Sequence, residues 1–322
     1  MQELSQKIPR QKILSAFTSW RQAWLAALLF GWASTPAADE VSADLAQLRQ
    51  RGAYVLRASG CVTCHTDEEN NGKLLAGGRA LETPFGTLYG PNITFDREHG
   101  IGAWQAQDFF RALRHGVAPD GSSYYPGFPY TSYTRMRRED MFALWVYLAS
   151  VPTSARENTP HELVWYMRFR VANRIWKLLF FEPGVIQPDE KRSKSWNRGA
   201  YLVNAMAHCG ECHTPRTSLG NLDNDLAYAG AKNGPEGESA PNITPDKKTG
   251  IGDWSRSEFV DYLSEGLLPD RDYAGGVMTD VIDDGLAYLT PEDLQAVAEY
   301  IMTLPAIQHE ITDDGDDNDG GD

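Results

Sequence analysis

The sequence predicts a mainly α-helical protein built from two tandem copies of one small, loop-rich domain. Three observations carry that expectation. Several blocks of sequence recur in the same order, apolar residues in the segment that closes each copy fall at helical spacing, and runs with strand character are scarce.

The repeat is the strongest of the three. Gly52-Ala53-Tyr54 returns as Gly199-Ala200-Tyr201, and Cys61-Val62-Thr63-Cys64-His65-Thr66 as Cys209-Gly210-Glu211-Cys212-His213-Thr214. Pro91-Asn92-Ile93-Thr94 returns at Pro241-Asn242-Ile243-Thr244, and Gly100-Ile101-Gly102-Ala103-Trp104 at Gly250-Ile251-Gly252-Asp253-Trp254. Glu139-Asp140 returns at Glu292-Asp293, so the offset drifts only from 147 to 153. Two domains follow, at residues 45–152 and 199–306, joined by a partly helical linker at 153–198.

Within each copy a helix (51–59, then 198–207) leads into the Cys motif, and a Gly- and Pro-rich loop follows. Trp104 and Trp254 open the next helix, with Ser255 and Ser257 as candidate caps. A closing helix spans 138–149 and again 291–303, with Met141, Leu144, Trp145 and Leu148 on one stripe and Leu294, Val297, Ala298 and Ile301 on the other. Thr290-Pro291 places proline in the first helical turn, where its missing N–H costs nothing.

The termini differ in kind. Lys7, Arg10, Lys12 and Arg21 precede an apolar run at 23–33, and small residues follow it. Residues 1–38 therefore look like an export signal cut near Ala37 or Ala38, with an uncleaved anchor as the alternative. Export would make the protein periplasmic. Residues 307–322 read as an acidic disordered tail, since 313–322 hold six Asp among Asn and Gly. The net charge of −14 argues against nucleic acid and suits a basic partner.

All four cysteines lie in two Cys-x-x-Cys-His motifs, the signature of c-type haem attachment. Thiols one helical turn apart can add to the two vinyl groups of haem, and the adjacent His then reaches the iron. Cys61, Cys64, Cys209 and Cys212 are thus candidate thioether links and His65 and His213 candidate axial ligands of two covalently bound haem c groups. One zinc shared by pairs 148 residues apart is a poor fit, and a redox disulfide would need a strand–helix pattern that is absent. A low-spin electron carrier closes the opposite side of its iron with Met or His. Met136 and Met278, each in the irregular stretch before a closing helix, are the candidates. His115 competes in the first copy, but the second copy has Glu265 there. The carbonyls of Pro91 and Pro241 are candidates to orient the two His rings, and Arg79, Trp104 and Trp254 to hold haem propionates.

Further shared features include Gly-Pro-Asn-Ile-Thr, Gly-Ile-Gly-x-Trp, Tyr-Pro-x-Phe-Pro-Tyr ahead of Met136, Asn197-Arg198-Gly199-Ala200-Tyr201-Leu202, and Cys-His-Thr-Pro-Arg at Cys212 to Arg216. With them the chain resembles, over residues 45–306, the cytochrome c subunits of bacterial membrane-associated alcohol and gluconate dehydrogenases. The resemblance implies class I-like cytochrome c domains and matches Met136 and Met278 to axial positions. It also implies electron transfer from a periplasmic or membrane-associated dehydrogenase to a downstream respiratory acceptor. Better-known members carry three haem domains and a membrane-binding segment, whereas this sequence shows two copies and the acidic tail. A di-haem peroxidase or a thiosulfate-oxidising cytochrome is the enzymatic alternative. The latter takes a Cys as axial ligand, and no cysteine is spare. In the linker, Trp165, Ile175, Leu178 and Leu179 alternate with Arg168, Arg174 and Lys177. It either packs between the domains or docks peripherally on a membrane or partner.

Overall fold

In the computed structural model, residues 36–311 are described except 169, 233, 235 and 236. The expected export signal lies outside them apart from residues 36–38, and the tail lies outside them from residue 312. By internal contact the chain divides after Gln47, and the part from Leu48 onward holds both repeats.

The first repeat runs α1 (Pro36–Ala58), α2 (Cys61–His65), the strands β1 (Ala80–Leu81) and β2 (Gly86–Tyr89), then α3 (Ala106–His115), α4 (Tyr130–Tyr133) and α5 (Arg138–Leu148). The linker supplies β3 (Glu162–Leu163) and α6 (Arg170–Phe180). The second repeat runs α7 (Lys194–Tyr201), a π turn (Leu202–Met206), α8 (Gly210–His213), α9 (Arg256–Glu265), α10 (Val277–Asp284) and α11 (Pro291–Ile301). The helix ends follow local chemistry. Gln105 with Asp108, and Ser255 with Glu258, form reciprocal capping boxes at α3 and α9. Gly116 and Gly266 end those helices at φ of +56° and +73°, a conformation glycine reaches without strain. Thr290 caps α11 ahead of Pro291. Ser257 is not a cap and instead bonds the Ser255 hydroxyl.

The architecture is mainly helical with a small antiparallel sheet ordered β1-β2-β3. Ala80 faces Tyr89, and Gly86 faces Leu163. The sheet departs from the expectation of little strand. Its strands of two to four residues are too short to show an alternating pattern, and β3 comes from the linker.

Two close packings organise the core. A Cβ on Gly52 would stand 2.0 Å from the Ala143 carbonyl oxygen, and one on Gly199 would stand 1.9 Å from that of Ala296. α1 therefore meets α5, and α7 meets α11, backbone to backbone. Gly199→Ala is expected to lower stability by at least about 1–3 kcal/mol, because neither backbone can give way cheaply. An unchanged thermal midpoint would refute that.

The repeats also exchange side chains. Asp140 accepts from Arg51 of its own repeat at 2.8 Å and from the Tyr201 hydroxyl of the other repeat at 2.6 Å. Asp293 accepts from Arg198 of its own repeat at 2.8 and 2.6 Å, and from the Tyr54 hydroxyl of the other. Each tyrosine oxygen also accepts a backbone N–H at the start of the closing helix it meets, from Arg137 and Thr290.

α6 touches both repeats. Asn173 donates to the Tyr124 carbonyl at 2.7 Å, and the Trp176 indole to that of Leu219 at 2.9 Å. Its outer side leaves Val171, Ile175, Leu178 and Leu179 exposed. No helix among the described residues is long and apolar enough to cross a membrane.

Candidate functional site

Each Cys motif forms a single turn of helix, and the same loop closes over it in both repeats. The His65 carbonyl accepts from Gly77 N–H and the His213 carbonyl from Gly230 N–H, both at 2.8 Å. Both glycines have positive φ, +74° and +89°. The Thr66 hydroxyl accepts from Leu75 N–H, and the Thr214 hydroxyl from Tyr228 N–H. The loop then presents the Pro91 carbonyl to His65 Nδ1, and the Pro241 carbonyl to His213 Nδ1, each at 2.7 Å. The next residue fixes that carbonyl. Asn92 Oδ1 accepts from the N–H and hydroxyl of Thr94, and Asn242 Oδ1 does the same for Thr244. The recurring Pro-Asn-Ile-Thr is therefore a turn whose product is a rigid carbonyl aimed at an imidazole.

That contact sets the chemistry of the ring. With Nδ1–H donating to a carbonyl, the proton is placed and Nε2 keeps its lone pair. Burial pushes both histidines below their ordinary pKa, outweighing the carbonyl's opposite effect, so both rings are neutral at neutral pH. Burial pushes the thiols the other way. Cys61 and Cys209 rise to about 12, with the second thiol of each motif adding to the effect, and Cys212 rises to about 11. Two thiols one turn apart, beside a neutral oriented imidazole, fit covalent haem. The cysteines and histidines all retain some accessible surface within buried surroundings.

The other candidate residues divide. Met278 is the second residue of α10 and is partly buried. Met136 is completely buried, and its carbonyl accepts from Arg114 at 2.9 Å. His115 lies exposed at the end of α3. Arg79 pairs with Asp280 across the repeats at 2.8 Å. Trp254 packs edge-on against Phe259 and Tyr262, and Trp104 joins the first core.

Sequence reasoning missed the seam between the two motifs. A Cβ on Gly60, beside Cys61, would stand 3.6 Å from Nε2 of His208, beside Cys209, so the two motifs adjoin. Between them the His208 ring meets Tyr133 edge-on at 5.6 Å, and the Tyr133 hydroxyl donates to the Ser59 carbonyl at 2.6 Å. The Thr131 hydroxyl donates to Glu211 at 2.5 Å. A signal existed: His208 stands in the repeat where Gly60 stands, and both adopt positive φ.

Comparison with known proteins agrees with this chemistry. The family profile described as Cytochrome c matches residues 197–305. A di-haem c-type cytochrome of Cereibacter sphaeroides is 41% identical over 86% of this chain and 93% of its own length. The fructose dehydrogenase cytochrome subunit of Gluconobacter japonicus and the gluconate 2-dehydrogenase cytochrome c subunit of Pantoea cypripedii are each 38% identical, over 80% and 87% of this chain. The chain spans only 52% and 64% of those two subunits. Covalent haem c in two copies and electron transfer are thereby accounted for together: the chain belongs to the cytochrome c family, among its di-haem electron carriers.

Proposed function

We propose that the chain takes electrons from a periplasmic or membrane-associated dehydrogenase, passes them between its two haem sites, and releases them to a respiratory acceptor. In this reading residues 45–152 and 199–306 are tandem class I-like cytochrome c domains. Cys61, Cys64, Cys209 and Cys212 hold the haems, His65 and His213 are their axial ligands, and Met278 closes the second site. When bound, each haem supplies an iron centre that gains and loses one electron. The protein's own part is to fix the His rings through the Pro91 and Pro241 carbonyls and to keep the surroundings dry. It also holds the two motifs together at the seam.

The observation that carries the reading is the nearness of the two Cys motifs: a Cβ on Gly60, the residue before Cys61, would stand 3.6 Å from Nε2 of His208, the residue before Cys209. The relatives add that the gluconate, fructose and quinone-dependent alcohol dehydrogenases carry cytochrome subunits similar to this chain. The relatives are a di-haem c-type cytochrome and cytochrome subunits of dehydrogenases, which favours a carrier over a peroxidase. The test is the full chain, matured in a cytochrome-assembling host and mixed with a membrane preparation containing such a dehydrogenase and its substrate. Both haems should be reduced on substrate addition, with no consumption of added peroxide. Peroxide turnover without reduction by the dehydrogenase would overturn the reading.

The carbonyl–imidazole contact gives a narrower expectation. Asn92→Ala frees the loop that holds the Pro91 carbonyl, so the first haem's potential should become heterogeneous, its titration broadening while the second haem's stays sharp. A spectroelectrochemical titration that leaves both steps unchanged would remove Asn92 from the site.

A further inference from the structure

The internal repeat allows the two haem sites to be compared residue by residue along the segment that follows α3 and α9. After α3 and α9 the two chains follow one path. Gly116 and Gly266 end the helices at positive φ. Val117 bridges Ser123, as Leu267 bridges Tyr273. Tyr124 N–H donates to the Gly116 carbonyl at 2.9 Å, as Ala274 N–H does to that of Gly266 at 2.8 Å. The offset is 150 at every one of these positions, and turns follow at Pro126 and Gly276. Two residues further on, the second repeat has Met278 and the first has Phe128.

Met136 occupies a different place. It lies two residues before the first residue of α5, where the second repeat has Leu289 two residues before Pro291 of α11. The path from the shared turn to the closing helix is three residues longer in the second repeat, which is why the two methionines look alike by eye and differ by register. Burial separates them too. Met278, like all four cysteines and both motif histidines, keeps accessible surface, whereas Met136 is 0% exposed and belongs to the packed core. Leu289, its counterpart, is buried as well, at 6%.

Phe128 stands beside the first motif. Its ring lies 5.8 Å from that of Tyr133, whose hydroxyl is bound to Ser59 two residues before Cys61. Tyr133 itself is raised by burial and then by the Cys61 and Cys64 thiols, which places it against the motif. A phenyl ring offers iron no lone pair, and the Tyr133 hydroxyl is already committed. The neighbours of Phe128 here are the rings of Tyr124, Tyr130 and Tyr133.

We infer that the two haem sites are chemically unlike: the His213 site is closed by Met278, while the His65 site has Phe128 in that position and is open to a small neutral diatomic ligand. The inference rests on the haem assignment made above. The aromatic rings around Phe128 favour a neutral ligand over an anion, which would have to give up its hydration to enter. One chain then holds a closed carrier and a site whose iron can report on, or be blocked by, a dissolved gas.

The test uses the full chain carrying both haems, with covalent haem content measured first, so that failed attachment is seen as failure of the haem assignment and not of this one. Carbon monoxide titrated into the reduced protein should bind one equivalent per two haems. The oxidised protein should show the methionine-to-iron charge-transfer band at the intensity of one haem. Met136→Leu, a swap the core tolerates, should change neither reading. Met278→Ala should abolish the band and raise carbon monoxide binding to two equivalents. Phe128→Met should double the band and suppress carbon monoxide binding. Absence of carbon monoxide binding in the unaltered protein, or a halved band in Met136→Leu, would overturn the inference.

Discussion

Replacing Cys209 and Cys212 together by alanine is expected to leave one covalent haem per chain in place of two. The argument starts from the environment of the thiols. Burial raises Cys209 to about 12 and Cys212 to about 11, so the free pair is protonated at neutral pH. The Cys-x-x-Cys-His spacing, with His213 oriented by the Pro241 carbonyl, is what fits thioether formation. Without the thiols, His213 and Met278 still offer two iron ligands, but ligands alone do not survive denaturation. Haem stain after denaturing electrophoresis should therefore halve, and a pyridine haemochrome assay should count one haem. The Cys61→Ala, Cys64→Ala chain should lose the other. The two variants should also differ in kind. Once any non-covalently held haem has been extracted, the first would lack the methionine-to-iron band and keep carbon monoxide binding, and the second would do the opposite. Retention of two covalent haems in either variant would refute the assignment.

Much of this was legible in the sequence, for a physical reason. Haem attachment needs fixed residue types at fixed spacing, and the two Cys-x-x-Cys-His motifs state it directly. Pro91 and Pro241 were legible too, because the turn that aims each carbonyl depends on local Asn and Thr side chains. Helices closed by local signals such as Ser255 with Glu258, or Thr290 before Pro291, fell where periodicity placed them.

What escaped depends on distance or on register. β3 pairs with β2 from across the linker, so no local pattern announces it. The π turn at Leu202–Met206 has no counterpart in α1, although both lead into a Cys motif. The exchange of Tyr54 and Tyr201 spans 239 and 61 residues of sequence. Met136 shows how register matters. Counting back from the closing helix makes it resemble Met278, whereas counting forward from Gly116 and Gly266 puts Phe128 at that place, and the carbon monoxide titration proposed above decides between them.

The reciprocal clamp gives the last expectation, and it depends on pH. Burial alone would push the Asp293 carboxyl up, but the Arg198 guanidinium and Tyr54 hydroxyl outweigh it and hold it below the ordinary carboxylate range. A carboxyl depressed on folding contributes stability that is fully present above its unfolded pKa, about 3.9. That contribution is lost as pH falls through the still lower folded value. Asp293→Asn removes the charge while keeping the shape, so it leaves Arg198 with a neutral partner and Tyr54 with a weaker acceptor. Arg198 is about one-third exposed, so water screens part of the ion pair. A cost of about 1–3 kcal/mol at neutral pH is the expected size for hydrogen bonds to a partly buried charge. The difference between the unaltered protein and the variant should shrink below about pH 4, where the unaltered carboxyl begins to take up its proton. Tyr54→Phe should cost less than Asp293→Asn, and the double variant less than the sum, because both changes remove the same bond. Urea midpoints at neutral and acid pH read all of this. A difference that persists undiminished into acid would mean that shape, not charge, joins α1 to α11. Additive costs would mean that the two repeats are held together elsewhere, and the tyrosine exchange would then be a consequence of the pseudo-symmetric packing and not one of its causes.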